Sequence, residues 1–563
     1  MNTGRPREAS TSRWKSSGPR LLPEAQTVRT TTPSYSGFRA ALLVGAFVLA
    51  VTGVLTPPKP AVAQPCVPSN QVIATSIPGP INSDGGSITI SAFGSAGNGG
   101  VAIGCGATTV DNAGNVSGVT VQNVGSVGDS IGALTNSGTI SGDGIYNEGT
   151  ITQLSNSGTI SDGIFNRGII SQLSNSGTIS GISNVGTISQ LSNSGTVSGI
   201  SNVGTIGRLS NSGTVSGAYY YPFGSYALIS GSPFCSPDSG PSCYTQAQGR
   251  VSAIGPITNS GVIDGNIEIQ HQDVTIIGGS GSVFGVLTGG TMTIPDGNLF
   301  FAGGNQLLAQ NIAVSSGQGT VTNSGNLMLA SPQSITGNYV QGSAGSLIIG
   351  IGATTAGRLD VSGTATLRDA TVAPRLLGTI GSYVLPLGQR FQVISAQGGV
   401  QGSVGSLIQP ASLGDAGVRF DLPVDPPGSL SVVLTPSNYG NLAALGIAAS
   451  AAASSVGSGL DAARPAAGAA MTPGQVSLYA PLYALGADQI APTLQQMAPA
   501  IYADAPTVNR STFQMVSTVI NRELEARRGA PAATRSSTAT GPQDTTIWLD
   551  GTGRPVPQPE HQR

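Results

Sequence analysis

Apolar and polar positions recur every nine residues through the middle of the chain. Asparagines stand at 136, 147, 156, 166, 175, 184, 193, 202 and 211, and from Asn166 onward the gaps are nine. "LSNSGT" alternates with "ISNVGT", so the full period is eighteen. Within each nine, one large aliphatic precedes the asparagine by two (Leu173, Ile182, Leu191, Ile200, Leu209), and another follows the glycine by two (Ile179, Ile188, Val197, Ile206, Val215). Alternation of apolar and polar residues broken by an Asn-x-Gly corner predicts short strands joined by tight turns. Nine residues are too few for a helix pair, and no heptad is present. An eighteen-residue coil of two or three short strands, stacked on copies of itself about 4.8 Å apart, accounts for the fixed positions. The expected fold is all-β, a parallel β-helix or solenoid. Its aliphatics stack in a continuous core, and Asn175, Asn184, Asn193, Asn202 and Asn211 form a structural amide ladder. The glycine two places after each asparagine is expected to supply a positive φ at the corner. The stretch between Arg167 and Arg208 is free of charge, which suits a stack that would otherwise set like charges face to face.

Fainter copies, "ITNSGVIDG" at 257–265 and "VTNSGNLML" at 321–329, carry the solenoid onward. Residues 218–249 break the pattern with aromatics, prolines and two cysteines, and read as a loop inserted in the shaft. From 64 to 435, at ~18–20 residues and ~4.8 Å per rung, the rod is expected to reach on the order of 90 Å.

Composition narrows the function. Of 563 residues 82 are glycine, 9% are charged and 5% aromatic. So apolar a chain is not disordered through charge, and its glycines lack the collagen period. A net charge of −2 argues against nucleic acid as a partner. Near the start, "FRAALLVGAFVLAVTGVLTPPKPAVAQ" places Arg39 before an apolar run from Ala40 to Leu55 and then Ala61-Val62-Ala63. That is the order of a secretory signal peptide, with cleavage expected between Ala63 and Gln64. The basic, polar stretch ahead of it is either a long leading region or the result of a start codon placed too far upstream. In an oxidising compartment four cysteines suggest two disulfides, Cys235 with Cys243 in a small loop and Cys66 with Cys105 near the mature N-terminus.

Further along, "GNYVQGSAGSLIIGIGATTAGRLDVSGTATL" (337–367) and "LPLGQRFQVISAQGGVQG" (385–402) resemble the passenger end of a bacterial autotransporter, a type V secretion protein. The most specific piece is "DVSGTATL", Asp360 to Leu367. The resemblance covers roughly residues 250–528. It implies a right-handed solenoid and an autochaperone-like segment over 337–435. It also implies a helical linker over 436–544, which in this family threads the pore of a translocator barrel. Phe513, Val516, Ile520 and Leu524 share one face of the last helix, a face that fits either the pore or a small helical cluster. Pro481, Pro492 and Pro499 are expected to limit the segment between them to short helices. "TTIWLDGTGR" (545–554) resembles the opening barrel strand, and the further strands of a barrel are absent from the sequence that follows. The division is thus 1–63 leader, 64–336 passenger, 337–435 autochaperone-like end, 436–544 linker and 545–563 truncated barrel start. The resemblance implies export to the cell surface, outer membrane or exterior of a Gram-negative bacterium. Its expected partners are the outer-membrane translocation machinery, a barrel missing here, and ligands on host or bacterial surfaces.

Chemistry is sparse. Gly128-Asp129-Ser130 resembles a nucleophile motif, but His271 and His561 are the histidines available as a base, and corner geometry also explains the motif. Asp264, Glu268 and Asp273 form the acidic cluster that a glycan-active β-helix would need, yet they also suit a solvated face. No metal-ligand spacing or cofactor motif appears. The expected function is a non-catalytic, surface-exposed adhesin or stalk; the alternatives are a glycan lyase or hydrolase, or a remnant of a truncated autotransporter.

Overall fold

The computed structural model describes residues 70–83, 85–97, 99–103, 107–121, 130–220, 224–230, 252–352, 355–378, 385–414, 416–498 and 505–529. Signal cleavage at Ala63 and Gln64, the cysteines Cys66, Cys105, Cys235 and Cys243, the residues Gly128, Asp129 and His561, and the segment 545–563 lie outside them.

The chain winds into a parallel β-solenoid of about 12 turns. In the regular region each coil holds three strands, as in Ile169–Asn175, Thr178–Ile179 and Ile182–Asn184. Each pairs in parallel with its copy 18 residues on: Leu173 with Leu191, Ile179 with Val197, Ile182 with Ile200. The ten aliphatics of the repeat all point inward and are buried, continuous with one core running from Ile73 to Leu434. Burial of a stacked Ile or Leu at every rung, at about 2 kcal/mol per side chain, drives the coil to close.

Three features depart from the sequence reading. The corner glycines Gly158, Gly177, Gly186, Gly195, Gly204 and Gly213 do not have positive φ. Their role is close approach: a Cβ on Gly177 would stand 2.0 Å from the Gly158 carbonyl oxygen one rung below. Positive φ falls instead at other corners, at Gly163 and Gly199. The shaft is also shorter than expected, about 60 Å for about 12 turns. Coil length is uneven, from 18 residues between Asn175 and Asn193 to 48 between Asn211 and Asn259, so more of the chain is spent per rung. Finally, the inserted loop does not leave the shaft entirely. Gly224–Ser230 returns as a rung, with Leu228 in parallel register with Ile200 below and Ile267 above.

The C-terminal end is closed by a change of direction. Arg390–Ala396 and Val418–Asp421 pair antiparallel with Ser429–Pro436. A second core of Val433, Tyr439, Leu460, Tyr479, Tyr483 and Ile490 joins these strands to helices, so the last strands do not end the stack as a bare edge. Helix Ala451–Ala463 is capped by Ser450, whose hydroxyl accepts from the Ala453 N–H at 3.1 Å. Helix Pro473–Tyr483 opens with a Thr472/Gln475 capping box. Pro481 and Pro492 lie inside the helices Pro473–Tyr483 and Ala487–Met497, each short at 11 residues; Pro499 lies outside the described residues. In the last helix, Ala505–Gly529, the apolar face of Phe513, Val516, Ile520 and Leu524 is exposed, Phe513 by 75%.

Candidate binding face

Asparagines alternate between two buried ladders, because each coil has two Asn corners. One runs Asn112, Asn136, Asn156, Asn175, Asn193, Asn211, Asn259, with Nδ2 of each donating to Oδ1 of the next at 2.6–2.9 Å. The other runs Asn147, Asn166, Asn184, Asn202 and ends on the Ser230 hydroxyl at 3.1 Å. All these asparagines are 3% exposed or less. From Asn136 to Asn211 each amide also donates to the glycine carbonyl two residues on, and to a carbonyl of the next rung, as Asn156 does to Gly158 and Thr178; at Asn112 the Gly114 N–H instead donates to Oδ1. The first amide of the second ladder is incomplete: Asn147 Oδ1 has no partner among the described residues, and Val121 stands in register below it. The asparagines therefore hold the shaft together and are unavailable to a ligand.

What faces outward beside them is hydroxyl. Thr135, Ser155, Ser174, Ser192 and Ser210 stack in register on the residue before the asparagine. Ser157, Ser176 and Ser194 stack on the residue after it, and each donates to an asparagine carbonyl one rung below at 3.2–3.4 Å. Their protons are thus committed, and their oxygens remain as acceptors. Ser155, Ser174 and Ser192 make no side-chain hydrogen bond among the described residues, so their hydroxyls can donate or accept. The two rows line a cleft of about 220 Å³. A threonine column, Thr139, Thr159, Thr178, Thr196 and Thr214, and the exposed Gln153, Gln172 and Gln190 extend the same chemistry.

The second asparagine corner carries a different cluster. Tyr146 stacks on Phe165 at 5.3 Å, and Arg167 lies 5.6 Å over the Phe165 ring. Glu148 accepts from the Tyr146 hydroxyl at 2.6 Å and from Arg167 at 3.3 Å. The tyrosine hydrogen bond holds the Glu148 carboxyl below its ordinary range, while burial raises Tyr146. The strand register sets Tyr146 beside Phe165, and the side-chain contacts of the cluster carry no separate sequence signal.

Asp264, Glu268 and Asp273 stand on successive elements of the coil, at the end of Val262–Asp264, within Asn266–Ile269 and just before Val274–Ile277. Asp264 sits in register with Ser216 and Thr288, and Glu268 with Ile229 and Thr293. Asp273 accepts from the Asn298 backbone and side-chain amides at 2.8 and 3.0 Å. His271, at φ 59°, pairs through Nδ1 with Asp296 at 2.8 Å, both half exposed. Ser130 opens the strand Ser130–Asn136 beside Thr150, and among the described residues no hydrogen bond joins it to a histidine. No group of three or more His, Cys, Asp or Glu among the described residues is placed to hold a metal ion. None of the described helices is long and apolar enough to cross a membrane. Neither a family model nor a curated protein matches the chain.

Proposed function

We propose that the chain is a surface-exposed stalk of the autotransporter passenger type, which adheres to a hydroxyl-rich polymer through its serine and threonine columns. The observation that supports this most is the pairing of an acceptor row (Ser157, Ser176, Ser194) with a free hydroxyl row (Ser155, Ser174, Ser192) at the spacing of the rungs. A neutral face with alternating donors and acceptors matches a polysaccharide, and weak contacts repeated along the shaft add up to useful avidity. The signal-like N-terminus and the resemblance of residues 337–402 to a passenger end support export; the proposed role needs no catalysis.

The test is pull-down of the full chain on insoluble polysaccharides, alongside a variant with Ser155, Ser174 and Ser192 all changed to Ala. Retention by at least one polymer, reduced several-fold in the variant, is the expected result. Equal retention of both chains would remove the hydroxyl face from the account. Export is checked separately, by protease accessibility on intact Gram-negative cells expressing the gene with its downstream region.

A further inference from the structure

Near its closed end the stack leaves out part of a strand. Arg358–Val361 lies between Pro332–Thr336 and Arg390–Ala396, and from Leu359 it is in register with Gln333 on one side and Ile394 on the other. Before Arg358 the chain turns aside: Gly357 N–H donates to Gly350 at 2.8 Å, and Gly352 N–H to Thr355 at 2.8 Å. Thr355 and Ala356 thus stand at the wall of a cavity of about 360 Å³, with Pro332, Arg358, Arg390 and Gln392 around it.

One side of this cavity is a strand edge. Leu434 N–H donates to Gln389 at 3.1 Å, so the antiparallel alternation gives Phe391 to the Ser429–Pro436 strand. The N–H and C=O groups of Arg390 and Gln392 then point the other way, into the cavity. Among the described residues no strand pairs with that edge over Arg390–Gln392. Pro332, opposite, has no N–H to offer. Two guanidinium groups flank the opening. Among the described residues, Arg358 spends Nε and Nη2 on Asp360, both at 2.8 Å, and keeps Nη1; Arg390 spends Nη1 on Val424 and Asp425 and keeps Nε and Nη2.

We propose that this gap is a strand-addition site for an extended peptide segment bearing an acidic side chain. About three residues, roughly 10 Å of extended chain, would pair with Arg390–Gln392, and the carboxylate would meet the free guanidinium N–H groups. The site is separate from the hydroxyl face and stands whether or not the adhesive reading holds.

The experiment is fluorescence polarisation of the full chain with labelled acetyl-Thr-Val-Asp-Val-Thr-amide. Two control peptides accompany it, one N-methylated at alternate backbone amides and one with Lys in place of Asp. Both controls are expected to bind at least tenfold more weakly, and Arg390→Ala and Arg358→Ala each to weaken the parent peptide about fivefold with unchanged circular dichroism. Equal binding of the N-methylated peptide, no binding of the parent peptide, or displacement of it by chitohexaose would overturn the proposal, the last by marking the gap as a sugar site. The Ser155/Ser174/Ser192 triple variant should bind the peptide normally, which separates this site from the stalk's adhesion.

Discussion

The Asn175 amide donates at 2.8 Å to Oδ1 of Asn193, 18 residues on, and accepts at 2.7 Å from Asn156. Every interior amide of the ladder is donor and acceptor at once, in a site closed to water. Asn175→Ala should therefore cost about 2–4 kcal/mol, from a lost packing volume and an Asn193 oxygen left without its donor. Asn175→Asp keeps the shape but sets a carboxylate oxygen against Asn193 Oδ1. It should be the more damaging change at pH 7, because the buried charge has lost its donor role. Burial raises the folded-state pKa of the new carboxyl above its unfolded value, so the deficit should shrink as pH falls below the folded pKa. Urea unfolding of both variants at pH 7 and pH 4.5 checks the order and the reversal.

Glycines of the same motif differ in what they tolerate. A Cβ on Gly177 would lie 2.0 Å from a backbone oxygen, whereas one on Gly181 meets nothing nearer than 3.8 Å, and neither has positive φ. Gly177→Ala must push two rungs apart and should cost about 3 kcal/mol or more, within the range of severe backbone clashes. Gly181→Ala should be neutral or stabilise by up to about 1 kcal/mol, through the unfolded chain. Thermal melts of the two variants decide it. Equal losses would mean that conformational freedom, not rung spacing, selects these glycines.

The coil, its period and its inward aliphatics were legible because each of those properties repeats in the sequence. Ile179 and Ile188 have one role in every rung, so periodicity exposes it. What the sequence hid is what happens once. The glycine of Asn-x-Gly looks the same whether it supplies φ or clearance, and only the 2.0 Å approach at Gly177 distinguishes them. The return of Gly224–Ser230 to the stack is carried by a single Leu-Ile-Ser whose serine replaces an asparagine. The five asparagines from Asn175 to Asn211, expected in one ladder, divide between two, because residues bond across eighteen positions and not nine. Their burial, and so their loss as ligand contacts, was not legible either. The gap beside Arg390 depends on where the chain turns aside before Arg358, a choice that no local motif marks.

Tyrosine burial predicts an alkaline limit. Burial holds the Tyr339 hydroxyl far above its ordinary range, where it donates to Gln341 at 2.5 Å, and does the same to Tyr439, whose hydroxyl is enclosed without a partner among the described residues. Above the unfolded value of about 10 the unfolded chain releases these protons and the folded chain does not. Stability is therefore complete below about pH 10 and declines as pH rises from there toward the folded values. Tyr339→Phe should lower stability at pH 8, by the lost hydrogen bond, and flatten the decline above pH 10. Denaturation midpoints from pH 8 to pH 11 measure both effects; an unchanged slope would exclude Tyr339 as a contributor.

Closure of the C-terminal end turns on one buried ion pair. Arg464 and Asp421 bond to each other with side chains 2% and 3% exposed. Arg464 also donates to the Pro436 carbonyl at 2.6 Å and lies 4.8 and 5.2 Å over the Tyr439 and Tyr483 rings. Beside the apolar core, it ties the helices to the antiparallel strands. Arg464→Met leaves Asp421 buried with Arg419, at 2.8 Å, and Thr435 as remaining partners. A loss of about 3 kcal/mol is expected, at the lower end for a broken buried pair because Arg419 stays. Asp421→Asn on that background removes the stranded charge and should recover part of the loss, so the two changes will not add. Hydrogen exchange should localise the effect. Amides of Ala451–Ala463 and Pro473–Tyr483 should lose protection in Arg464→Met, while those of the Asn175 and Asn193 rungs keep theirs, since each rung contacts only its neighbours. Uniform loss along the shaft would instead mean that the closed end and the solenoid unfold as one unit.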